Sequence, residues 1–232
     1  MKIFDAKDKK THLEQIASDI AHELRTPLTN LQGYLEAILD GVWEADKERI
    51  QECYEEVIRL NKIVDELQEL SLLEDYSFIL HKELFDFREL CLSVIRSFEP
   101  AAKEKNITIK LITKSEIEVL ADYNRLKQVL INLISNAIKY SHENGTIVVS
   151  YNVKKGNYII EIIDNGIGIP KKEIPFIFER FYRTDKSRSK KTGGTGIGLA
   201  ITKAIIENHN GTISVKSSTK LGTSFKVKLP RG

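Results

Sequence analysis

His22, Glu23 and Thr26 lie close together in the run Ser18-Asp19-Ile20-Ala21-His22-Glu23-Leu24-Arg25-Thr26-Pro27-Leu28. Ile16, Ile20, Leu24, Leu28, Leu31, Leu35 and Ile38 recur at three- and four-residue steps, the period of an amphipathic helix. At about 100° per residue His22 falls roughly 170° from the centre of that apolar stripe, on the face that meets water. Thr26, one turn further on, shares the exposed face, and Glu23 flanks it within reach of the ring. Pro27 cannot donate to the Glu23 carbonyl and crowds it, so a bend is expected one turn after His22. An exposed imidazole can act as a nucleophile while a neighbouring carboxylate orients it or takes its proton. A single exposed histidine on a helix can equally be a solvated surface residue.

Further along, three clusters could handle a nucleotide. Asn132, Asn136 and Lys139 step by four and three, placing two carboxamides and an ammonium on one helix face with Tyr140 beside them. A carboxamide oxygen suits Mg2+ and a lysine neutralises phosphate. A plain solvated face is the alternative, but Leu130, Ile131, Leu133 and Ile134 surround the asparagines with apolar neighbours. Asp164-Asn165-Gly166-Ile167-Gly168-Ile169-Pro170 follows the apolar run Tyr158–Ile163. A carboxylate at a sheet rim can accept from an exocyclic amine, and the glycines would let backbone approach a flat ring; a simple Asp/Asn-Gly turn is the other reading. Gly193-Gly194-Thr195-Gly196-Ile197-Gly198-Leu199 opens a helix, where freed amides and the helix dipole favour phosphate. No Gly-x-x-x-x-Gly-Lys-Ser/Thr run exists, and no Gly-x-Gly-x-x-Gly follows a strand, so P-loop and Rossmann sites are excluded.

Two kinds of periodicity must position these groups. After the first helix a turn is expected at Gly41, and a second helix from Asp46 to about Leu73 carries Ile50, Val57 and Val64 at heptad spacing, with Cys53, Leu60 and Leu67 interleaved. Such a hairpin buries little surface alone, so dimerisation into four helices is the expected remedy. After Phe78 short β-rich runs alternate with helices. The pattern predicts helices over 86–105, 123–140 and from Thr195 to about Asn208, and strands over 107–112, 117–121, 146–153, 158–164, 212–217 and 224–229. One mixed sheet covered by helices is the expected architecture. Residues 1–77 read as the helical dimerisation part and 78–232 as a separate α/β domain.

Composition narrows the class. Of 232 residues 41% are hydrophobic and 29% charged, which describes a folded chain rather than a disordered one. The net charge of +2 marks no nucleic-acid footprint and no polybasic membrane anchor, so no nucleic-acid partner is expected. Cys53 and Cys91 match no metal-ligand spacing and are expected to be buried or inert. No apolar run approaches the roughly 18–20 residues of a membrane span, and MKIFDAKDKK lacks a signal-peptide core, so the chain as it stands is expected to be cytoplasmic.

The run His22-Glu23-Leu24-Arg25-Thr26-Pro27-Leu28 strongly resembles the phosphoacceptor motif of two-component sensor histidine kinases. The three later clusters, with Phe178-Glu179-Arg180-Phe181-Tyr182-Arg183 between them, resemble in content and order the N, G1, F and G2 boxes of the Bergerat-type ATP-binding domain. The resemblance covers about Ser18 to Leu229. It implies an antiparallel helical hairpin forming a four-helix bundle in a homodimer, followed by a Bergerat-type α/β sandwich. It further implies ATP and Mg2+ as cofactors, with Asn132 on the metal, Asn136 and Lys139 near the phosphates, and Tyr140 by the nucleoside. Asp164 would meet the adenine amine, with Gly166 and Gly168 beside it. Arg180, Arg183, Gly194, Gly196, Gly198 and Leu199 complete the nucleotide site, and Thr223 supports the adenine pocket. The stretch 184–192, with Arg188, Lys190 and Lys191, is expected to act as a lid.

On that resemblance His22 takes the γ-phosphoryl group with Glu23 as base or orienter, and passes it to an aspartate in the receiver domain of a response regulator. Thr26 would serve in dephosphorylating that regulator. Only 21 residues precede His22, whereas the family usually carries an input region there. A longer, membrane-anchored form, or a partner that supplies input, is therefore expected. Other Bergerat ATPases of the chaperone, topoisomerase or mismatch-repair kind lack the His-Glu-x-x-Thr-Pro helix. A serine-kinase anti-sigma factor would not need the hairpin. A degenerate dimeric scaffold that only binds its regulator stays open, although every box retains its polar residues.

Overall fold

The structure is a computed structural model describing residues 6–75, 77–113, 116–183, 194–219 and 221–231, by backbone alone over 6–16. Its contacts divide the chain into two units, Met1–Gln68 and Glu69–Gly232. The expected lid, 184–192, lies outside the described residues.

The first unit is a helical hairpin. Helix α1 (Ala6–Leu39) holds Pro27 inside it without ending, and α2 (Lys47–Leu73) runs on past the unit's boundary. Gly41, at φ 71°, supplies the left-handed residue that stops α1 and lets the chain turn. Asp46 starts α2 by accepting from the Arg49 amide at 2.8 Å. Trp43 stacks against Tyr34 with the Arg49 guanidinium 4.3 Å above its ring, closing the base of the hairpin. The heptad rows part company here. Cys53 is buried and Leu60 and Leu67 half-buried, whereas Ile50, Val57 and Val64 remain exposed.

The second unit begins with the last turn of α2. Leu70 and Leu73 are buried, Glu69 is ion-paired with Arg125, and Asn208 donates to the Leu73 carbonyl at 2.8 Å. Next comes a strand the sequence pattern missed, β1 (Lys82–Asp86), and then α3 (Phe87–Glu104), capped by Asp86 accepting from the Arg88 amide. Strands β2 (Thr108–Thr113) and β3 (Glu118–Asp122) lead into α4 (Tyr123–Tyr140), whose N-cap is Asp122. The hairpin β4 (Thr146–Lys154) and β5 (Asn157–Asp164) precedes the site loops, and α5 (Gly198–Asn208), β6 (Thr212–Ser218) and β7 (Gly222–Pro230) follow them.

The main sheet has five strands in the order β2-β4-β5-β7-β6, with only β2 and β4 parallel. The expectation of one sheet needs correction, because β3 leaves it to pair antiparallel with β1 in a two-stranded ribbon. The β1 residues responsible, Lys82-Glu83-Leu84-Phe85-Asp86, carry too little apolar alternation to mark a half-buried strand.

On the sheet face that α4 covers, Ile147, Val149, Tyr158, Ile160, Ile162, Phe225, Val227 and Leu229 are buried. They meet Leu126, Val129, Leu130, Leu133, Ile134, Ala137 and Ile138 of α4. Period two in the strands and period 3.6 in the helix thus meet in one core. Truncating Leu133 or Ile134 to Ala is expected to cost about 2–5 kcal/mol. Cys91 is fully buried, and burial pushes its thiol up to about 12, so it packs rather than reacts.

Candidate functional site

The helical unit presents His22 and Thr26 exposed on α1, with Glu23 half-buried beside them. The Thr26 hydroxyl donates to the His22 carbonyl at 3.4 Å, a long bond of the back-bonding kind that weakens a helix turn. Pro27, buried, follows at once and removes another bond from the same turn.

In the second unit α4, the loop after β5 and the N-terminus of α5 converge. Asn132 is half-buried and its carboxamide nitrogen donates to the Gly198 carbonyl at 3.0 Å and to the Thr202 hydroxyl at 3.3 Å. Both amide hydrogens are thereby committed to protein, which fixes the carboxamide and leaves Oδ1 as the atom available to a cation. Asn136 lies half-buried one turn on. Lys139, a further turn along, sits with Nζ 5.0 Å from the centre of the Tyr140 ring. A Cβ placed on Gly194 would stand 2.5 Å from that Nζ. The end of α4 is held by Lys105, whose ammonium donates to the carbonyls of Ile138 and Lys139 at 3.1 and 3.0 Å.

At α5 the N-cap residue is Ile197, and no side chain caps the first turn. Its leading amides therefore keep their donor capacity and the positive end of the helix dipole stays uncovered. Gly198 opens that turn against Asn132, and Leu199 is half-buried behind it. Gly196, at φ 80°, turns the chain into the helix.

Asp164, at the end of β5, is buried and accepts from the Gly166 amide at 2.9 Å. Burial pushes its carboxyl above the usual range, and hydrogen bonds from the backbone of Gly166 and Thr223 pull it partly back. Burial likewise raises the Tyr140 phenol, opposed by the Arg183 guanidinium nearby.

The glycines of the Asp164 loop are also required by contacts inside the protein. A Cβ on Gly166 would lie 2.2 Å from the Tyr140 carbonyl oxygen, and one on Gly168 would lie 2.0 Å from the Ser218 carbonyl oxygen. A Cβ on Gly196 would meet the Phe181 backbone at 2.7 Å. The close approach these glycines permit is to the protein's own backbone, whereas Gly194 and Gly198 open toward polar side chains. Arg180 forms an ion pair with Glu74, just past the end of α2. Thr223, buried, pairs in register with Asp164 across β5 and β7.

Several residues escaped the sequence reading. Thr202, fully buried, braces Asn132. Ser217 contacts Thr223 and the Asp164 loop. Glu69, Glu74 and His209 anchor α2, the Phe178–Arg183 segment and α4. Each acts through pairing across elements, for which spacing along the chain carries no signal, although Ser217 and Ser218 at the end of an alternating strand do mark a polar rim.

Residues 12–75 match the His Kinase A (phospho-acceptor) domain, and residues 121–232 match the histidine kinase-, DNA gyrase B-, and HSP90-like ATPase family. The structure of the Acinetobacter baumannii histidine kinase AdeS is 35% identical, with 91% of this chain and 98% of that one covered at a TM-score of 0.77. This chain belongs to the sensor histidine kinases.

Sensor protein kinase WalK of Staphylococcus aureus is 39% identical over 223 residues, 93% of this chain and 53% of that relative. WalK sequences of other strains are 36% covered, so the chain spans about half, or little more than a third, of the curated relatives it matches. A solved complex of histidine kinase ThkA with response regulator protein TrrA is 28% identical, covering 98% of this chain and 64% of that one at a TM-score of 0.79. A helical hairpin followed by an α/β domain, in this order, is the arrangement expected of that family.

Proposed function

We propose that this kinase binds ATP in the second unit, transfers the γ-phosphoryl group to His22, and then passes it to an aspartate in the receiver domain of a separate response regulator. The observation that carries the ATP reading is the meeting of Asn132 and Lys139 on α4 with Gly198 and Gly194 before and at α5. One carboxamide oxygen, one ammonium and a row of uncapped helix amides form a set suited to a metal-bound polyphosphate.

In this reading Asn132 would hold Mg2+ through Oδ1, and the ion would supply charge neutralisation to the phosphates. Asn136 and Lys139 bind the phosphate oxygens, with the amides of Gly194, Gly196, Gly198 and Leu199 opposite them, the Ile197 amide being spent on the Thr195 hydroxyl at 3.4 Å. Tyr140 and Arg183 border the nucleoside, and Asp164, backed by Thr223, accepts from the adenine amine. Arg180 reaches the nucleotide only by giving up Glu74. A ring nitrogen of His22 attacks the γ-phosphorus as the bond to the bridging oxygen breaks and ADP departs. The proton on the other ring nitrogen passes to Glu23 or water. Positioning and charge compensation carry most of such a transfer.

Residues 1–77 are assigned dimerisation and phosphoacceptance, and 78–232 ATP binding. The exposed row Ile50, Val57 and Val64 supports a homodimer, since a second hairpin would cover it. Among the described residues no helix is long and apolar enough to cross a membrane. Membrane attachment would belong to a preceding region of a longer form.

The test is the phosphoacceptor itself. His22→Gln abolishes acid-labile, base-stable labelling from ATP radiolabelled at the γ position, and persistent labelling refutes the assignment. Thr26 orients the water that hydrolyses the regulator's phosphoaspartate, its long bond to His22 being easily exchanged. Thr26→Ala therefore keeps autophosphorylation and slows regulator dephosphorylation; an unchanged rate refutes that role.

A further inference from the structure

Three polar side chains form a row across the rim of the main sheet. Asp164 of β5 pairs in register with Thr223 of β7, which pairs in register with Ser217 of β6. Directly paired residues of antiparallel strands project to the same face, so a carboxylate and two hydroxyls stand side by side. Asp164 and Thr223 are buried and Ser217 is half-buried.

Ser217 is the most connected of the three. Its Oγ lies 2.8 Å from the Gly222 carbonyl, accepts from the Ile169 amide at 2.7 Å, and lies 3.0 Å from the Thr223 hydroxyl. A carbonyl can only accept, so the single Ser217 proton goes to Gly222. The Thr223 proton then points to Ser217, and Thr223 turns only lone pairs toward the pocket. With Asp164, the row becomes an acceptor surface, suited to an exocyclic amine and unsuited to a carbonyl oxygen in the same place. The bond from Ile169 also ties the loop following Asp164 to β6, where Gly168 already rests on the Ser218 carbonyl.

We propose that Ser217 is a positioning residue for base selection: it orients the Thr223 hydroxyl and anchors the Asp164 loop, so that the pocket prefers a 6-amino purine over a 6-oxo purine. This rests on the reading of the Asp164 pocket as the purine site. Without Ser217 the Thr223 proton is released and can be donated to a 6-oxo group, which weakens rejection of guanine while loosening the loop that helps hold adenine.

The experiment measures binding of ATP and GTP by titration calorimetry to the full chain and to Ser217→Ala, Ser217→Cys and Ser217→Thr variants. Loss of one neutral hydrogen bond corresponds to about three- to tenfold in affinity. Ser217→Ala is expected to weaken ATP by that factor and to lower the ATP-to-GTP preference. Ser217→Cys, a weak donor of similar size, is expected to lower the preference too, and Ser217→Thr, which keeps the hydroxyl, to retain it. An unchanged ATP-to-GTP ratio in Ser217→Ala, or equal weakening of both nucleotides, overturns the proposal and leaves Ser217 a loop brace. If Ser217→Ala does not fold, the Cys and Thr pair decides on the same ratio. Asp164→Asn separates the two levels: if it leaves ATP affinity unchanged, the purine-pocket reading itself fails, whereas its loss of ATP beside an indifferent Ser217→Ala sinks only the role of Ser217.

Discussion

The carboxamide nitrogen of Asn132 donates to the Gly198 carbonyl across 3.0 Å, joining the middle of one helix to the first residue of another. Residues 66 apart in sequence thereby share one site, and the carboxamide is locked with its oxygen outward. On the proposed reading of the site, Asn132→Ala removes both the lock and the ligand for Mg2+. ADP release in the presence of ATP and Mg2+ is expected to fall at least about a hundredfold, because a lost metal ligand acts on the phosphoryl-transfer step itself. The fold should survive, with a loss of about 1–2 kcal/mol from the broken hydrogen bonds. Steady-state ADP assays and thermal melts check the two halves.

Two glycines with opposite surroundings predict losses of different size. Gly166→Ala drives a Cβ to 2.2 Å from the Tyr140 carbonyl, against backbone that cannot swing aside. A loss of about 3 kcal/mol or more, or failure to fold, is expected. At Gly156, φ is 71° and the space around a Cβ is open, so Gly156→Ala meets only the left-handed backbone penalty of about 1–2 kcal/mol. Urea unfolding of the two variants measures the difference.

If Asp164 meets the adenine amine as proposed, it trades stability for binding. Burial raises its folded-state carboxyl above the unfolded value of 3.8. A raised pKa contributes stability below the unfolded value and loses it as pH rises through the folded value, so at neutral pH the ionised carboxylate is a net burden on the fold. Asp164→Asn keeps a carbonyl oxygen for the Gly166 amide and sheds the charge. It is expected to raise Tm at pH 7 while weakening ATP about 10- to 100-fold through loss of a charge-assisted bond. A melting curve and an ATP titration on the same preparation test both signs.

His209 sets a pH dependence of the opposite sense. Its Nε2 accepts from the Asp122 amide at 3.1 Å, so Nδ1 carries the proton toward the Ile205 carbonyl at 2.8 Å and the ring is held neutral. Burial lowers its pKa from 6.5, with Lys82 adding to the shift while the Ile205 carbonyl and Asp122 oppose it. A depressed histidine contributes stability above its unfolded pKa and loses it as pH falls below that value. Unfolding free energy is therefore expected to drop between pH 7 and pH 5. His209→Gln, whose amide can copy both bonds, should flatten that slope in denaturant titrations at the two pH values.

Much of this protein was legible along the chain because the relevant physics is local. The three- and four-residue recurrence from Ile16 to Ile38 specifies a helix and puts His22 on its wet face, and α4 spans Tyr123–Tyr140 as its pattern predicts. Asn132, Asn136 and Lys139 share one face of α4 because their steps of four and three match the helical period. Other features depend on which strand lies beside which. The β1–β3 ribbon, the row Asp164–Thr223–Ser217, the pairing of Arg180 with Glu74 and the bracing of Asn132 by Thr202 all join residues far apart in sequence. Spacing within a segment holds no information about such register. Periodicity and residue type along the chain specify the elements and the chemistry each can offer. The tertiary structure alone decided which glycines accommodate the chain's own backbone and which donors are spent on protein, because steric exclusion and hydrogen-bond satisfaction are settled only where separate elements meet.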